Sequence, residues 1–347
     1  MQVITTMEQL DAKIAECNDA LNNRSDDAMR ALFGGFRVDF SADAPRDPFS
    51  PEYRAFQLAL YERVTAKAYS VANERTLFDP GNYVDRPFPY YLGSTATAGH
   101  HVMAMGFLLR TLDLAPGARV LEFGPGWGNT TLALAQLGFR VTAVDTEPNF
   151  CELIRRRAAR HGVAIDVVEG DFFWAETVAE PFDAVLFFES FHHCDDHMRL
   201  LRALHRAVKP GGAVYFAAEP VIAGYGVPWG LRTDGEALWA MRNFGWLELG
   251  FREAYFDAAL ARTGWRAEKR CCAEPDWASV WIARAAPRDA TACEPPSATL
   301  PEPGPRPEPD PPSDPAAERL ARELAAVYQS TSWRLTAPVR ALRRLLS

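Results

Sequence analysis

Residues 120–128 read Val-Leu-Glu-Phe-Gly-Pro-Gly-Trp-Gly, and a helix-like run, 129–137, follows at once. A strand-like apolar pair runs into an acid and then into Gly124, Gly126 and Gly128. A loop of this kind lets a ligand approach bare backbone, and the helix behind it presents unpaired N–H groups at its positive dipole end. Such a loop belongs between a parallel strand and its crossover helix, so it points to an α/β chain. The dinucleotide fingerprint would need a further glycine at 129, where Asn129 stands, which argues against a pyrophosphate-bearing ligand.

Further runs keep the order that a doubly wound sheet requires. Residues 140–145 form a second strand-like run ending in Asp145, about 20 residues beyond the loop, where a carboxylate meets ribose hydroxyls. A third run, 165–171, ends in Asp171 beside Phe172, an acceptor next to an apolar ring face. Residues 182–189 read as a continuously buried fourth strand ending at Glu189, and 209–218 as a turn leading into a fifth. Residues 265–272 and 276–284 make a closing pair.

With these motifs in order, residues 100–285 resemble the class I S-adenosylmethionine-dependent methyltransferases. The resemblance implies a mainly parallel seven-stranded, Rossmann-like sheet and S-adenosyl-L-methionine as cofactor. It implies cofactor contacts from Glu122, Gly124, Pro125, Gly126, Gly128, Asp145, Asp171, Phe172 and Glu189. It places residues 188–193 near the methyl acceptor.

The chemistry then falls to His192 or His193, just past the fourth strand, with His100 and His101 as secondary candidates. An alcohol acceptor loses a proton on methylation, so a positioned base is expected. Neighbouring positions on extended chain face opposite ways, so one of the two histidines is expected to serve, His192 by preference, oriented by Glu189. Asp195, Asp196 and His197 read as a helix start with acids matching the dipole. No defined metal-ligand spacing appears there, and no metal is expected.

Organisation outside that core is uneven. Residues 1–100 read as a helical cap over the acceptor site, with one helix across 7–32 and another from Pro51 bearing Phe56, Leu60, Val64 and Ala68 on one side. Residues 221–264, rich in Trp229, Trp239, Trp246 and Tyr255, form the other wall, and the methyltransferase domain spans 101–285. Residues 286–315 hold 11 prolines in 30 positions and read as an extended linker. Residues 316–347 read as a short basic amphipathic helical tail. Its Ser-Trp-Arg-Leu-Thr-Ala-Pro segment is similar to those ending bacterial surface-polysaccharide glycosyltransferases. That likeness implies docking to a glycan assembly complex or to the inner membrane face.

The net charge of −8 argues against a nucleic-acid partner. The six cysteines, 17, 151, 194, 271, 272 and 293, show no metal-ligand spacing and fit reduced thiols in a cytoplasmic protein. The expectation is therefore a methyltransferase acting on a sugar hydroxyl in surface-polysaccharide synthesis. O- or N-methylation of a small metabolite, and a non-catalytic scaffold in a glycan assembly complex, remain the alternatives.

Overall fold

The N-terminal region carries β1 (Gln2–Ile4), α1 (Met7–Asn22), α2 (Asp26–Phe33), β2 (Phe36–Val38) and α3 (Pro51–Thr65), followed by α4 (Thr95–Leu112). The computed structural model describes residues 1–287 except positions 24, 40–43, 77, 87 and 89–94. The expected linker beyond Pro287 and the basic tail lie outside the described residues. Thr6 caps α1 through a reciprocal capping box with Gln9. The stripe Leu10, Ile14 and Cys17 is buried as the spacing requires, but the single helix expected over 7–32 is two, separated by a turn.

Helix α3 departs from its apolar stripe. It buries Tyr53, Gln57, Tyr61 and Val64, whereas Phe56 and Leu60 are half-buried and Ala68 lies beyond the helix end. Polar tips decide the face. The Tyr53 hydroxyl donates to the Trp229 carbonyl at 2.8 Å, the Tyr61 hydroxyl donates to the Gly245 carbonyl, and Gln57 Oε1 accepts from the Leu231 N–H at 3.0 Å. A buried polar group with a partner is retained where a lone one is expelled.

The sheet follows from alternation. Its strands are β3 (Arg119–Phe123), β4 (Arg140–Asp145), β5 (Ile165–Glu169), β6 (Phe182–Phe188) and β7 (Val208–Ala217), with β11 (Trp265–Arg270) and β12 (Val280–Ala285) closing one edge. Leu121, Phe123, Val185, Phe187, Val214 and Phe216 face one core. Val120, Ala184, Leu186, Ala213 and Tyr215 face a second on the opposite side, with Leu108 and Leu112 of α4. Helix α4 therefore belongs to the sheet rather than to the cap, and the boundary expected at 100 falls inside it.

The strand order is β11-β12-β7-β6-β3-β4-β5, parallel except for β12, which is antiparallel to both neighbours. Crossovers α5 (Asn129–Gln136), α6 (Pro148–His161) and α7 (His197–Ala207) connect the parallel strands. The chain moves from β3 to β4 and β5 on one side, then returns to β6 on the other. That reversal opens a crevice at the carboxyl ends beside β3, where such sheets bind ligands.

A three-stranded sheet, β8 (Val221–Ile222), β9 (Trp229–Leu231) and β10 (Leu249–Arg252), with α8 (Gly235–Phe244) and α9 (Glu253–Arg262), stands over that crevice. Most of its aromatics pack inward: Trp229, Trp239 and Tyr255 are buried. Among the described residues no helix is long and apolar enough to cross a membrane. Met1–Arg288 form one compact unit.

Candidate active site

The three loop glycines do different jobs. All have positive φ: +62° at Gly124, +49° at Gly126 and +74° at Gly128. A Cβ on Gly124 would stand 2.7 Å from the Ser190 Cβ, and one on Gly128 2.6 Å from Ile154, whereas one on Gly126 would meet nothing within 4 Å. Gly124 and Gly128 thus admit close packing inside the protein, and Gly126 alone leaves room toward a ligand. The loop is pinned from behind. Buried Arg157 of α6 donates to the Trp127 carbonyl and, at 3.0 Å, to Asn129 Oδ1.

Glu122 and Gly128, both expected at the cofactor, do not line the cavity among the described residues. Glu122 lies beneath the loop, accepts from the Thr131 hydroxyl at 2.6 Å and ties β3 to α5. Burial raises its pKa to about 7, against the pull of Thr131. Because the folded pKa is raised, the protonated form is the stable one. Its contribution is complete below pH 4.5 and lost as pH rises through 7. Glu122→Gln should therefore gain on the wild type by about 2–4 kcal/mol between pH 4.5 and 8 in denaturant titrations; parallel stability curves would contradict this.

The strand tips converge as expected. At the end of β4, Asp145 is 7% exposed, accepts from the Gly126 N–H at 3.1 Å and from the Glu147 N–H at 2.9 Å. Burial raises its pKa to about 6, against those two donors. After β5, Asp171 accepts from the Phe173 N–H at 2.8 Å, and Phe172 packs 6.0 Å from Phe123 and 5.9 Å from Phe187, ring to ring. Glu189 closes β6 at φ +51°, a left-handed conformation rare for a glutamate. Its carboxylate lies 3.3 Å from His101 Nε2 on α4. Burial pushes the His101 pKa down, but the Glu189 contact outweighs it and the net direction is up. Glu189 therefore pairs with His101 and does not orient His192.

The orienter is Glu219, just past β7, a residue with no motif to announce it. Its fully buried carboxylate accepts from the N–H groups of Ser190 (2.9 Å), Phe191 (2.9 Å) and His192 (3.1 Å), and lies 2.7 Å from His192 Nδ1. The other ring nitrogen, Nε2, lies 3.5 Å from Glu248, also buried and also missed by sequence reasoning because it enters from the small sheet. Burial favours neutral His192, yet Glu219 and Glu248 raise its pKa to about 10. Burial likewise pushes Glu248 up, but the histidines and Arg232 bring it down to about 2.

The expectation that His192 and His193 face apart fails. Residues Phe191–His193 form one short 3₁₀ turn rather than extended chain, and the two rings lie 4.3 Å apart, both on the cavity. His193 Nδ1 is 3.3 Å from Glu74 Oε2 without hydrogen-bond alignment, a buried atom otherwise unpartnered. Asp196 caps α7 through the Arg199 N–H at 3.0 Å, as expected, and buried His197 turns away to the Tyr255 hydroxyl at 2.7 Å.

One cavity of about 1590 Å³ joins these parts. Gly124, Pro125, Gly126, Asp145, Asp171 and Phe172 line one end. The other is lined by His192, His193, Glu248 and by Trp239, Phe244 and Trp246 of the overlying wall, with His100 and His101 from α4.

Residues 121–216 match the family described as a methyltransferase domain. A ubiquinone biosynthesis O-methyltransferase of Xanthomonas campestris is 35% identical over 103 residues, 29% of this chain and 43% of that protein. A protein-L-isoaspartate O-methyltransferase of Methylorubrum populi is 36% identical over 104 residues, 30% of this chain and 48% of that protein. The chain thus spans less than half the length of these relatives. The solved structure of the mitomycin 7-O-methyltransferase MmcR is similar with a TM-score of 0.46 and 22% identity, covering 76% of this chain and 71% of that one. The matched segment runs from β3 to β7 and supplies the glycine loop and the strand tips, so the candidate site is built largely on the segment that matches this family.

Proposed function

We propose that this chain transfers the methyl group of S-adenosylmethionine to a hydroxyl of a saccharide. The carrying observation is that the methyltransferase-domain match coincides with a single cavity having a glycine-loop end and a polar, aromatic far end. The near end fits the cofactor. Gly126 leaves space where a side chain would intrude. The Asp145 oxygens keep lone pairs for ribose hydroxyls beyond the two backbone donors, and Asp171 with Phe172 offers an acceptor and a ring face to adenine.

When bound, S-adenosylmethionine supplies a methyl group on a positively charged sulfonium. The chain's own work is to hold the acceptor oxygen in line, exclude water and receive a proton. Positioning of this kind is worth about 7–11 kcal/mol. The proton falls to the group formed by His192, His193 and Glu248, with Glu219 fixing the His192 ring; no single histidine carries the role. At the far end Trp246 and Phe244 present apolar faces suited to sugar C–H bonds, beside Arg232 and Glu236 for hydroxyl groups. The sequence of the basic tail, similar to segments of surface-polysaccharide assembly proteins, agrees with a glycan setting.

Methyl-labelled S-adenosylmethionine, incubated with the full chain and separated pools of nucleotide sugars, oligosaccharides and other metabolites, tests the reading. Label is expected in a saccharide fraction, alkali-stable as an ether. Label confined to non-saccharide metabolites would overturn the acceptor class, and cofactor binding without label in any pool would favour the scaffold alternative.

A further inference from the structure

We propose that His192, His193 and Glu248 together bind one divalent transition-metal cation, of the zinc, cobalt or manganese type, with its open positions toward the acceptor end of the cavity. Each residue offers a ligand atom, and the three atoms lie within 4.8 Å of one another. Two imidazoles and one carboxylate suit a borderline divalent ion, and three protein ligands leave room for a water or a substrate oxygen.

The surroundings are those of a metal-binding histidine rather than of a structural one. Glu219 sits 2.7 Å from His192 Nδ1, holding a proton on that nitrogen and presenting Nε2 toward Glu248 and the cavity. A carboxylate behind the far nitrogen is the usual support of a ligating imidazole. Its other bonds, to three consecutive backbone N–H groups, lock the turn that aims His192 and His193 the same way. Buried His193 Nδ1, which makes no hydrogen bond although the Glu74 carboxylate lies 3.3 Å away, is a second sign, since such an atom is rarely left without a bond.

The charge balance also favours a cation. Glu74, Glu219 and Glu248 surround the two rings. Arg232 approaches Glu248 at 3.4 Å, but it is held by Asp234 at 3.0 Å, which offsets it. No sequence spacing could announce this site, because Glu248 arrives from the overlying wall.

The inference refines the proposed transfer reaction: an acceptor hydroxyl bound at an open position would be acidified by the ion, in the way bound water is, and its proton would pass to Glu74, which lines the cavity beside His193, because the three ligands would then have their lone pairs on the ion. It rests on that reading for its purpose, but not for its test. The full chain, stripped with a chelator and dialysed, is titrated separately with zinc and with cobalt, and metal content is measured by elemental mass spectrometry. About one ion per chain is expected, with cobalt showing visible d–d absorption and no thiolate charge-transfer band. His193→Ala and Glu248→Gln should each weaken zinc binding by about 100-fold with unchanged far-ultraviolet dichroism, while His161→Ala, on an exposed helix end, should not.

Absence of binding at 100 µM-scale zinc or cobalt would overturn the site. So would a thiolate band, which would place the ion on Cys271 and Cys272, or binding that survives either ligand change. Should a variant unfold, the cobalt spectrum of the wild type alone decides by its donor set. Calorimetry with S-adenosylmethionine on the same stripped protein keeps the two ideas apart: intact cofactor binding without metal binding sinks this inference and leaves the transfer reading standing.

Discussion

Replacing Asp145 with alanine should weaken S-adenosylmethionine binding at least about 100-fold. The carboxylate stands at the tip of β4 and is almost wholly buried, so its contacts are poorly screened. Hydrogen bonds to a charged group contribute roughly 1.5–3 kcal/mol each, and two ribose hydroxyls therefore account for about 3–6 kcal/mol. At about 1.4 kcal/mol per factor of ten this spans two to four decades of affinity. The change also releases the Gly126 N–H, held at 3.1 Å, and so loosens the loop against which the ligand lies. Asp145→Asn separates the two effects, since one amide oxygen still accepts from a backbone N–H while the charge is gone. Calorimetry on folded protein should rank the affinities wild type, Asn, Ala; an alanine variant within threefold of the wild type would remove the ribose assignment.

The second large effect belongs to Glu219. Its alanine variant should lose about 3–9 kcal/mol of stability, because three backbone N–H groups at Ser190, Phe191 and His192 lose their acceptor inside the protein. Each orphaned buried donor costs about 1–3 kcal/mol. His192 loses its buried counter-charge as well, and an uncompensated buried charge is expensive. Urea unfolding at pH 7 measures the loss from the midpoint and slope. Glu219→Gln should recover only part of it, since the amide's NH₂ turns a donor toward N–H groups that need an acceptor. A loss below 1 kcal/mol for the alanine variant would show that the turn bearing His192 and His193 does not depend on this carboxylate.

Much of the sheet was readable because parallel strands buried on both faces write themselves as apolar runs, as in residues 182–188, and because glycines at positive φ punctuate the first crossover. The placing of Asp145 and Asp171 on the cavity was readable too, because a parallel strand delivers its last and next residues to the carboxyl edge of the sheet, where the crevice lies. Glu122 was expected at the cofactor, but it stands inside β3, one residue before the strand's end, and does not line the cavity. Only the Thr131 hydroxyl, nine residues on, explains why it turns beneath the loop.

The acceptor end was less legible. Extended-chain alternation put His192 and His193 on opposite sides, whereas a single 3₁₀ turn sets their rings 4.3 Å apart. What fixes that turn is Glu219, 27 residues away, and what completes the group is Glu248, from a sheet with strands of two to four residues. Strands so short carry no usable periodicity. The cap helix α3 failed differently: Tyr53 and Gln57 are buried because their polar tips find backbone partners on β9, a contact across more than 170 positions that hydrophobic spacing cannot encode.

The central claim is that the glycine loop and the tips of β4 and β5 hold S-adenosylmethionine. It is tested most directly by calorimetric titration of the full chain and of Gly126→Val with S-adenosylhomocysteine, the product form of the cofactor. The account predicts one site per wild-type chain with micromolar affinity, and a folded Gly126→Val protein that does not bind, since a β-branched side chain strains the loop at φ +49° and projects into space where a Cβ meets no protein atom. A wild-type chain that takes up no ligand, or a Gly126→Val chain that binds it as well as the wild type, would contradict the account.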